Sequence, residues 1–362
     1  MKAALLEGVD KIVLREVATP TIKPGSILLK VLACGVCGSD LRILSSGNSR
    51  VKYPAIIGHE IVGEVVAIGE GISVGEGISG FNKGDLLAVG ADVPCGKCVW
   101  CTSGNGNCCD INYAIGYQFS GGYAEYCLLE PLVVSQGAIE KVPAAVSVEV
   151  ATFMEPLACC INGFERIGFV PGKTVLIIGA GQIGCMLAIL AKASGSKKVI
   201  LVDVSDEKLL VAEKSMAAGE VSADHYVNNS KSGFKESVLA LTNGQGADFI
   251  FTACSSADAQ EQALSVLAKR GAINFFGGLP MSGPGAHNIY VSSNLLHYSE
   301  CTLTGSHGSV PRQNHLAMEI ISSGRMAKTL SSLITHRFKL VEIQKAFELR
   351  RDPKALRVVV FP

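Results

Sequence analysis

The chain has 362 residues, 32 lysines plus arginines against 32 aspartates plus glutamates, a hydrophobic fraction of 48% and 40 glycines. That length points to two domains rather than one core. Zero net charge leaves no basic footprint for nucleic acid and no cationic face for a membrane surface, so neither is expected as a partner.

No apolar leader opens the chain, because Glu7 and Asp10 interrupt the first residues. A cytoplasmic location is therefore expected. Thirteen cysteines, an odd number in such a setting, argue for metal ligation and ordinary burial over a disulfide framework.

The first 150 or so residues read as β-rich. Residues 27–33 and 61–68 have strand composition between Gly, Pro and Ser clusters, and 69–84 reads as a glycine-rich loop. Next come Cys95, Cys98, Cys101 and Cys109, spaced C-x2-C-x2-C-x7-C. Four thiolates so close together suit a closed tetrahedral zinc site with no place for water, hence a structural role. Cys108 is the alternative fourth ligand on spacing alone.

From about residue 152 the pattern changes. Residues 175–178, 198–203, 224–228, 248–254, 272–277 and 302–305 read as strands, with helices such as 207–218 and 257–269 between them. This βαβ alternation implies a doubly wound parallel sheet and an α/β fold class. An uncharged run at 174–191 reaches the length of a membrane-spanning candidate, but Gly179, Gly181 and Gly184 divide it into strand, loop and helix. The last 55 residues return to a mixed pattern, expected to pack on the first domain.

Gly179-Ala180-Gly181-Gln182-Ile183-Gly184 follows the apolar strand and opens a helix. Gly179 permits the tight turn, Gly181 lets the backbone approach a pyrophosphate, and Gly184 lets helix and strand pack closely. Asp203 ends the next strand, 19 residues after Gly184, where a carboxylate accepts hydrogen bonds from ribose hydroxyls and repels a 2′-phosphate. Val204 and Ser205 follow with no arginine immediately after, so NAD is favoured over NADP.

Further motifs complete the pattern: Cys34-Gly35-Val36-Cys37-Gly38-Ser39-Asp40, Gly58-His59-Glu60, Gly121-Gly122-Tyr123-Ala124-Glu125-Tyr126 and Glu155-Pro156-Leu157-Ala158. With the cysteine lobe and the glycine motif, they make the chain resemble the zinc-containing medium-chain dehydrogenase/reductase family over its whole length. Glu155, in place of a cysteine, resembles the polyol (sorbitol) dehydrogenase branch.

The resemblance implies a GroES-like β-rich catalytic domain and a Rossmann doubly wound parallel-sheet nucleotide-binding domain, with a cleft between them. The expected divisions are residues 1–152 with a structural zinc lobe at about 93–112, residues 153–306, and a C-terminal return over 307–362. It implies two Zn2+ per chain. Cys109 becomes the fourth lobe ligand, and a catalytic zinc falls on Cys37, His59 and Glu155. Glu60 is expected as a ligand in some states and a neighbour of the ligands in others, since adjacent residues of an extended segment face opposite ways. Pro156 in the first turn of a helix places Glu155 at its N-cap.

Zinc would act as a Lewis acid on an alcohol or carbonyl, and Ser39 would pass the alcohol proton onward. The implied partner is a small alcohol or polyol, with a threonine-type amino alcohol or a polyol phosphate as the alternative. A non-enzymatic nicotinamide sensor would have no need of an open zinc. Arg42 departs from the family, which often has histidine there. It is expected on the solvated surface, with contact to an anionic substrate as the alternative. Cys159 and Cys160 read as packing residues inside an apolar helix. Substrate specificity is assigned to the loops 112–119 and 283–296. The family habit of pairing the last strand of the nucleotide-binding sheet across subunits implies a homodimer or homotetramer.

Overall fold

The computed structural model describes residues 1–72, 80–231, 233–280 and 288–362. The middle of the loop expected at 69–84 and the start of the loop 283–296 lie outside the described residues. The chain forms two compact units. One comprises Met1–Cys159, Gly308–Ala327 and Ile334–Pro362, the other Cys160–His307 and Lys328–Leu333.

The first unit is β-rich, as a GroES-like domain requires. Strands Ile27–Gly35, Glu60–Ile68, Leu86–Val89 and Ile139–Lys141 pair in antiparallel succession, and Tyr126–Leu129 also pairs with Ile27–Gly35. The last strand, Arg357–Phe361, joins the other side of Ile27–Gly35 and runs parallel to Ile334–Lys339. Branched and apolar side chains such as Leu29, Val31, Ile61, Val65, Leu87 and Val360 fill one continuous core, which is what makes these segments strands. The pairing of Ile27–Gly35 with Glu60–Ile68 shifts register twice, bending the sheet. Their ends meet with Gly35 opposite Glu60. That register brings Cys37, just past one strand, beside His59, just before the other.

The second unit holds six parallel strands in the order His225–Asn228, Lys198–Asp203, Thr174–Ile178, Ala247–Thr252, Leu267–Phe275 and Thr302–Gly305. Numbered along the chain this is 3-2-1-4-5-6, the order of a dinucleotide-binding Rossmann sheet. Val175, Leu176, Ile177 and Val199 to Leu201 are fully buried, as a parallel sheet covered on both faces demands.

One expected element is shorter than its composition suggests. The helix expected at 257–269 spans Ala257–Leu264, and Leu267–Phe275 is strand. Sheet pairing wins there, because the Ala247 N–H donates to the Val266 carbonyl at 2.9 Å and Leu267 sits opposite Ala247. The uncharged run at 174–191 resolves into the strand Thr174–Ile178 and part of the helix Gln182–Ala193. Among the described residues, no helix is long and apolar enough to cross a membrane.

Candidate active site

All thirteen cysteines are free thiols, yet four of them converge. The sulfurs of Cys95, Cys98, Cys101 and Cys109 lie within 4.8 Å of one another, Cys98 to Cys101 at 3.4 Å and Cys95 to Cys101 at 3.8 Å. A tetrahedron built on metal–sulfur bonds of about 2.3 Å has edges of about 3.8 Å, so the lobe already has the dimensions of a zinc site.

Its electrostatics agree. Burial raises the Cys109 thiol, but backbone N–H groups of Asn112, Cys95 and Ile111 aimed at the sulfur outweigh this and bring it down to about 6. Burial and then the neighbouring Cys98 thiol push Cys101 up to about 12. Four sulfurs this close cannot all ionise without a cation among them, and a divalent ion with a taste for thiolate answers that need. Cys108 is exposed and lies outside the group.

The second convergence joins Cys37, His59 and Glu60, whose ligand atoms also lie within 4.8 Å of one another. Cys37 caps the helix Gly38–Ser46 in extended conformation, and its N–H donates to the Asp40 carboxylate at 3.0 Å. His59 follows Gly58, which has φ 93°. A Cβ on Gly58 would stand 2.9 Å from the Tyr123 ring and 3.0 Å from the Cys34 sulfur, so only glycine can make this turn. Although adjacent, His59 and Glu60 both bring a ligand atom to this one centre.

Asp40 organises the pocket, a role the sequence reading missed. It is fully buried, lies 3.4 Å from His59 Nδ1 and accepts a 2.8 Å hydrogen bond from the Tyr123 hydroxyl. An acid three residues past an N-cap was the available signal. With Asp40 at Nδ1, the other ring nitrogen, Nε2, stands 3.4 Å from Ser39 Oγ. A histidine oriented by a carboxylate behind it is the usual support of a metal ligand. Burial alone would lower His59, but the charge and hydrogen bond of Asp40, with Cys37, raise it well above its ordinary value.

Glu60 is pinned from behind by Arg357, and both side chains are fully buried. Its other oxygen, Oε1, has no hydrogen-bond partner, as a carboxylate beside a cation site would show. Arg357 was also missed in the sequence, although a lone arginine inside the apolar run Leu356 to Val360 was a visible signal.

Glu155 stands outside the compact set of Cys37, His59 and Glu60. It is buried, and burial, with Glu60 and Asp92 adding and His59 opposing, pushes its carboxyl up to about 7. The helix carrying it runs Met154–Ile167, so Glu155 occupies the first turn rather than the expected N-cap. Pro156 is tolerated because that turn has no carbonyl four residues back to satisfy. Cys159, expected as packing, donates to Glu155 Oε1 at 3.6 Å, while Cys160 is fully buried.

Beyond the ligands lies Tyr117, its ring centroid 6.2 Å from that of His59, in the loop expected to govern specificity. Burial raises its phenol, against lowering by His59 and by the Ser39 hydroxyl hydrogen-bonded to it. Arg50, not singled out in the sequence, stacks 4.7 Å over the Tyr117 ring. Arg42 is exposed on the helix Gly38–Ser46.

In the second unit, Gly179 has φ 113°, and the helix Gln182–Ala193 starts from Gly181 as N-cap. A Cβ on Gly184 would stand 1.7 Å from the Gly179 carbonyl oxygen, whereas one on Gly181 meets nothing within 4 Å. Helix–strand packing thus demands the former glycine, and the latter faces open space. Ile183 follows Gln182, whose side chain is buried with Oε1 unpartnered. Asp203 accepts from Ala180 N–H at 2.8 Å and Ser205 N–H at 3.0 Å, which locks it beside the glycine turn. The turn, the helix N-terminus and the carboxylate fit a dinucleotide.

Comparison with known proteins agrees with this geometry. Residues 23–139 match the alcohol dehydrogenase GroES-like domain and residues 183–323 the zinc-binding dehydrogenase domain. The L-threonine 3-dehydrogenase of Pyrococcus horikoshii is 33% identical over 95% of this chain and 93% of its own. The sorbitol dehydrogenase of Halalkalibacterium halodurans is 29% identical over 98% and 97%. A zinc-binding dehydrogenase of Sinorhizobium meliloti, solved bound to NADP, superposes with a TM-score of 0.88 at 28% identity, covering 100% of this chain and 99% of that one.

Proposed function

From the premise that the chain belongs to the zinc-containing medium-chain dehydrogenase/reductase family, we propose a residue-level account of its chemistry. The protein is a zinc-dependent oxidoreductase that acts on the CH–OH group of a small alcohol or polyol with a nicotinamide cofactor. When bound, zinc supplies Lewis acidity and the nicotinamide a hydride acceptor.

Cys37 and His59 would hold the zinc together with a carboxylate: Glu60, which lies in the compact set and is held from behind by Arg357, or Glu155, which the family resemblance implies. A site with one thiolate and one or two carboxylates is harder than one with two thiolates and suits an oxygen-rich substrate. Asp40 at Nδ1 orients the His59 ring and leaves Nε2 as the nitrogen that would bind a metal. Ser39 takes the proton of the substrate hydroxyl and releases it outward, since a hydroxyl donates and accepts without holding charge. The observation that carries this reading is the convergence of Cys37, His59 and Glu60 within 4.8 Å, with Ser39 Oγ 3.4 Å from the histidine.

Cys95, Cys98, Cys101 and Cys109 hold a second, structural zinc. Gly179, Gly181, Gln182, Ile183 and Gly184 cradle the pyrophosphate. Asp203 takes the adenosine ribose, favouring NAD over NADP by repelling a 2′-phosphate. We place the enzyme in the reducing cytoplasm as a homodimer or homotetramer, to be checked by light scattering.

The test is NAD and NADP reduction at alkaline pH against polyols, simple secondary alcohols and threonine, with metal content measured alongside. Turnover of a polyol or secondary alcohol, abolished in Cys37→Ser, supports the reading. Turnover confined to threonine moves it to the amino-alcohol alternative that the Pyrococcus relative favours, and turnover of none refutes it.

A further inference from the structure

Among the described residues, Arg50 has aromatic and backbone partners and forms no ion pair. Its guanidinium stacks on Tyr117, its Nη2 donates to the Asn112 carbonyl, and its Nε is buried without a partner. A guanidinium is a planar fork of five donors matched to carboxylate or phosphate. A buried donor left without an acceptor is costly unless something else arrives to take it.

Arg50 also lines a cavity of about 540 Å³ together with Lys52, Tyr117, Gln118 and Ser120. Lys52 and Ser120 are exposed, so a second cation and a hydroxyl are available at the same wall. Tyr117 belongs to both places, forming part of this cavity and packing beside His59.

We propose that this cavity is an anion subsite of the active site. It takes the phosphate or carboxylate of an alcohol whose carbinol carbon reacts at the Cys37–His59 centre, and Arg50 is the residue that selects such substrates. The subsite rests on the alcohol dehydrogenase reading above and narrows it. A whole aromatic ring separates the guanidinium from His59, so the anion sits several bonds from the reacting carbon. A sugar-alcohol phosphate or a sugar acid spans that gap, and threonine, with its carboxylate two bonds from the carbinol carbon, does not.

The test uses the zinc-loaded enzyme with its nicotinamide cofactor and matched substrates: hexitols and their terminal phosphates, hexitols and their aldonates, and butane-2,3-diol against threonine. The expected result is a kcat/KM roughly tenfold or more higher for a phosphate or an aldonate than for its neutral partner, carried by KM. Arg50→Gln should reduce that preference on the order of 10- to 100-fold. Arg50→Lys should recover part of it, because the charge stays while the fork is lost. Whichever pair responds separates phosphate from carboxylate.

Inorganic phosphate should compete with the preferred alcohol in the wild type and much less in Arg50→Gln. An equal loss for neutral and anionic substrates overturns the subsite and leaves Arg50 a brace for Tyr117. So does a wild type without preference for the charged partners, or one best on threonine. Activity on no alcohol, in folded protein with full zinc content, overturns the dehydrogenase reading itself.

Discussion

Glu60 and Arg357 stand 297 positions apart in sequence, yet they form an ion pair in which neither side chain is exposed. Arg357 also donates from Nη2 to the Thr152 carbonyl and hydroxyl, both at 2.8 Å, and lies 4.6 Å over the Phe153 ring. The pair ties the last strand of the chain to the strand that starts beside the Cys37–His59 cluster.

Removing one member therefore strands a buried charge. Arg357→Ala is expected to lower unfolding stability by about 3–5 kcal/mol, measured by urea denaturation. Replacing both partners together, with Glu60→Gln and Arg357→Met, should cost less than Arg357→Ala, because no unpaired charge remains. A double variant worse than the single one would contradict this account.

The two metal sites should separate under mutation. Cys101→Ser and Cys37→Ser should each reduce zinc from about two ions per chain to about one, read by elemental analysis. Cys101→Ser should lower the melting temperature, since it removes one of the four thiols that would cross-link the lobe through the ion. Cys37→Ser should keep the fold and lose turnover. Loss of both ions in either variant would mean that the sites are not independent.

The glycine motif offers a pair of near-identical substitutions with opposite expectations. Gly184→Ala drives a methyl to within 1.7 Å of the Gly179 carbonyl, so the nucleotide-binding unit should be destabilised by about 1–3 kcal/mol. Gly181→Ala places its methyl in open space. It should fold normally and weaken cofactor binding about tenfold or more by blocking backbone approach to the pyrophosphate. Thermal melting together with cofactor titration distinguishes the two. A stable Gly184→Ala or a tight-binding Gly181→Ala would count against the assigned roles.

Asp224 gives a pH dependence with a definite sign. Burial raises its carboxyl, but the Lys192 ammonium and the Val199 N–H, at 2.9 Å and 2.7 Å, outweigh that and hold it below its ordinary value. A lowered carboxyl adds stability that is fully present above the unfolded-state value, near 3.9, and that fades as pH falls through the folded-state value. Asp224→Asn should therefore be less stable than wild type at neutral pH, with the gap narrowing below about pH 4. A gap that widens on acidification would reverse the sign and exclude this carboxylate as the cause.

Much of the molecule is legible along the chain. The strand Lys198–Asp203 falls where its composition places it, because a strand buried on both faces is written as a continuous apolar run. The glycine turn is legible too, since Gly179 and Gly184 answer local backbone demands and Gly181 completes the motif. The helix ending at Leu264 is not. Residues 265–269 carry no local signal against helix, and only the neighbouring strand offers them better hydrogen bonds.

The sequence by itself determined the fold class, the close cysteine spacing of Cys95, Cys98, Cys101 and Cys109 and the dinucleotide turn, each a short-range pattern, while Cys37, His59 and Glu155 enter as candidate ligands through the family resemblance. Tertiary structure alone decided that Asp40 backs His59, that Arg357 holds Glu60, that Glu155 lies apart from the tightest ligand set, and that Arg50 rather than Arg42 borders the site. Those are contacts between segments far apart in the chain, set by sheet register and by one glycine turn at Gly58. No local spacing can encode which distant side chain will meet a buried charge.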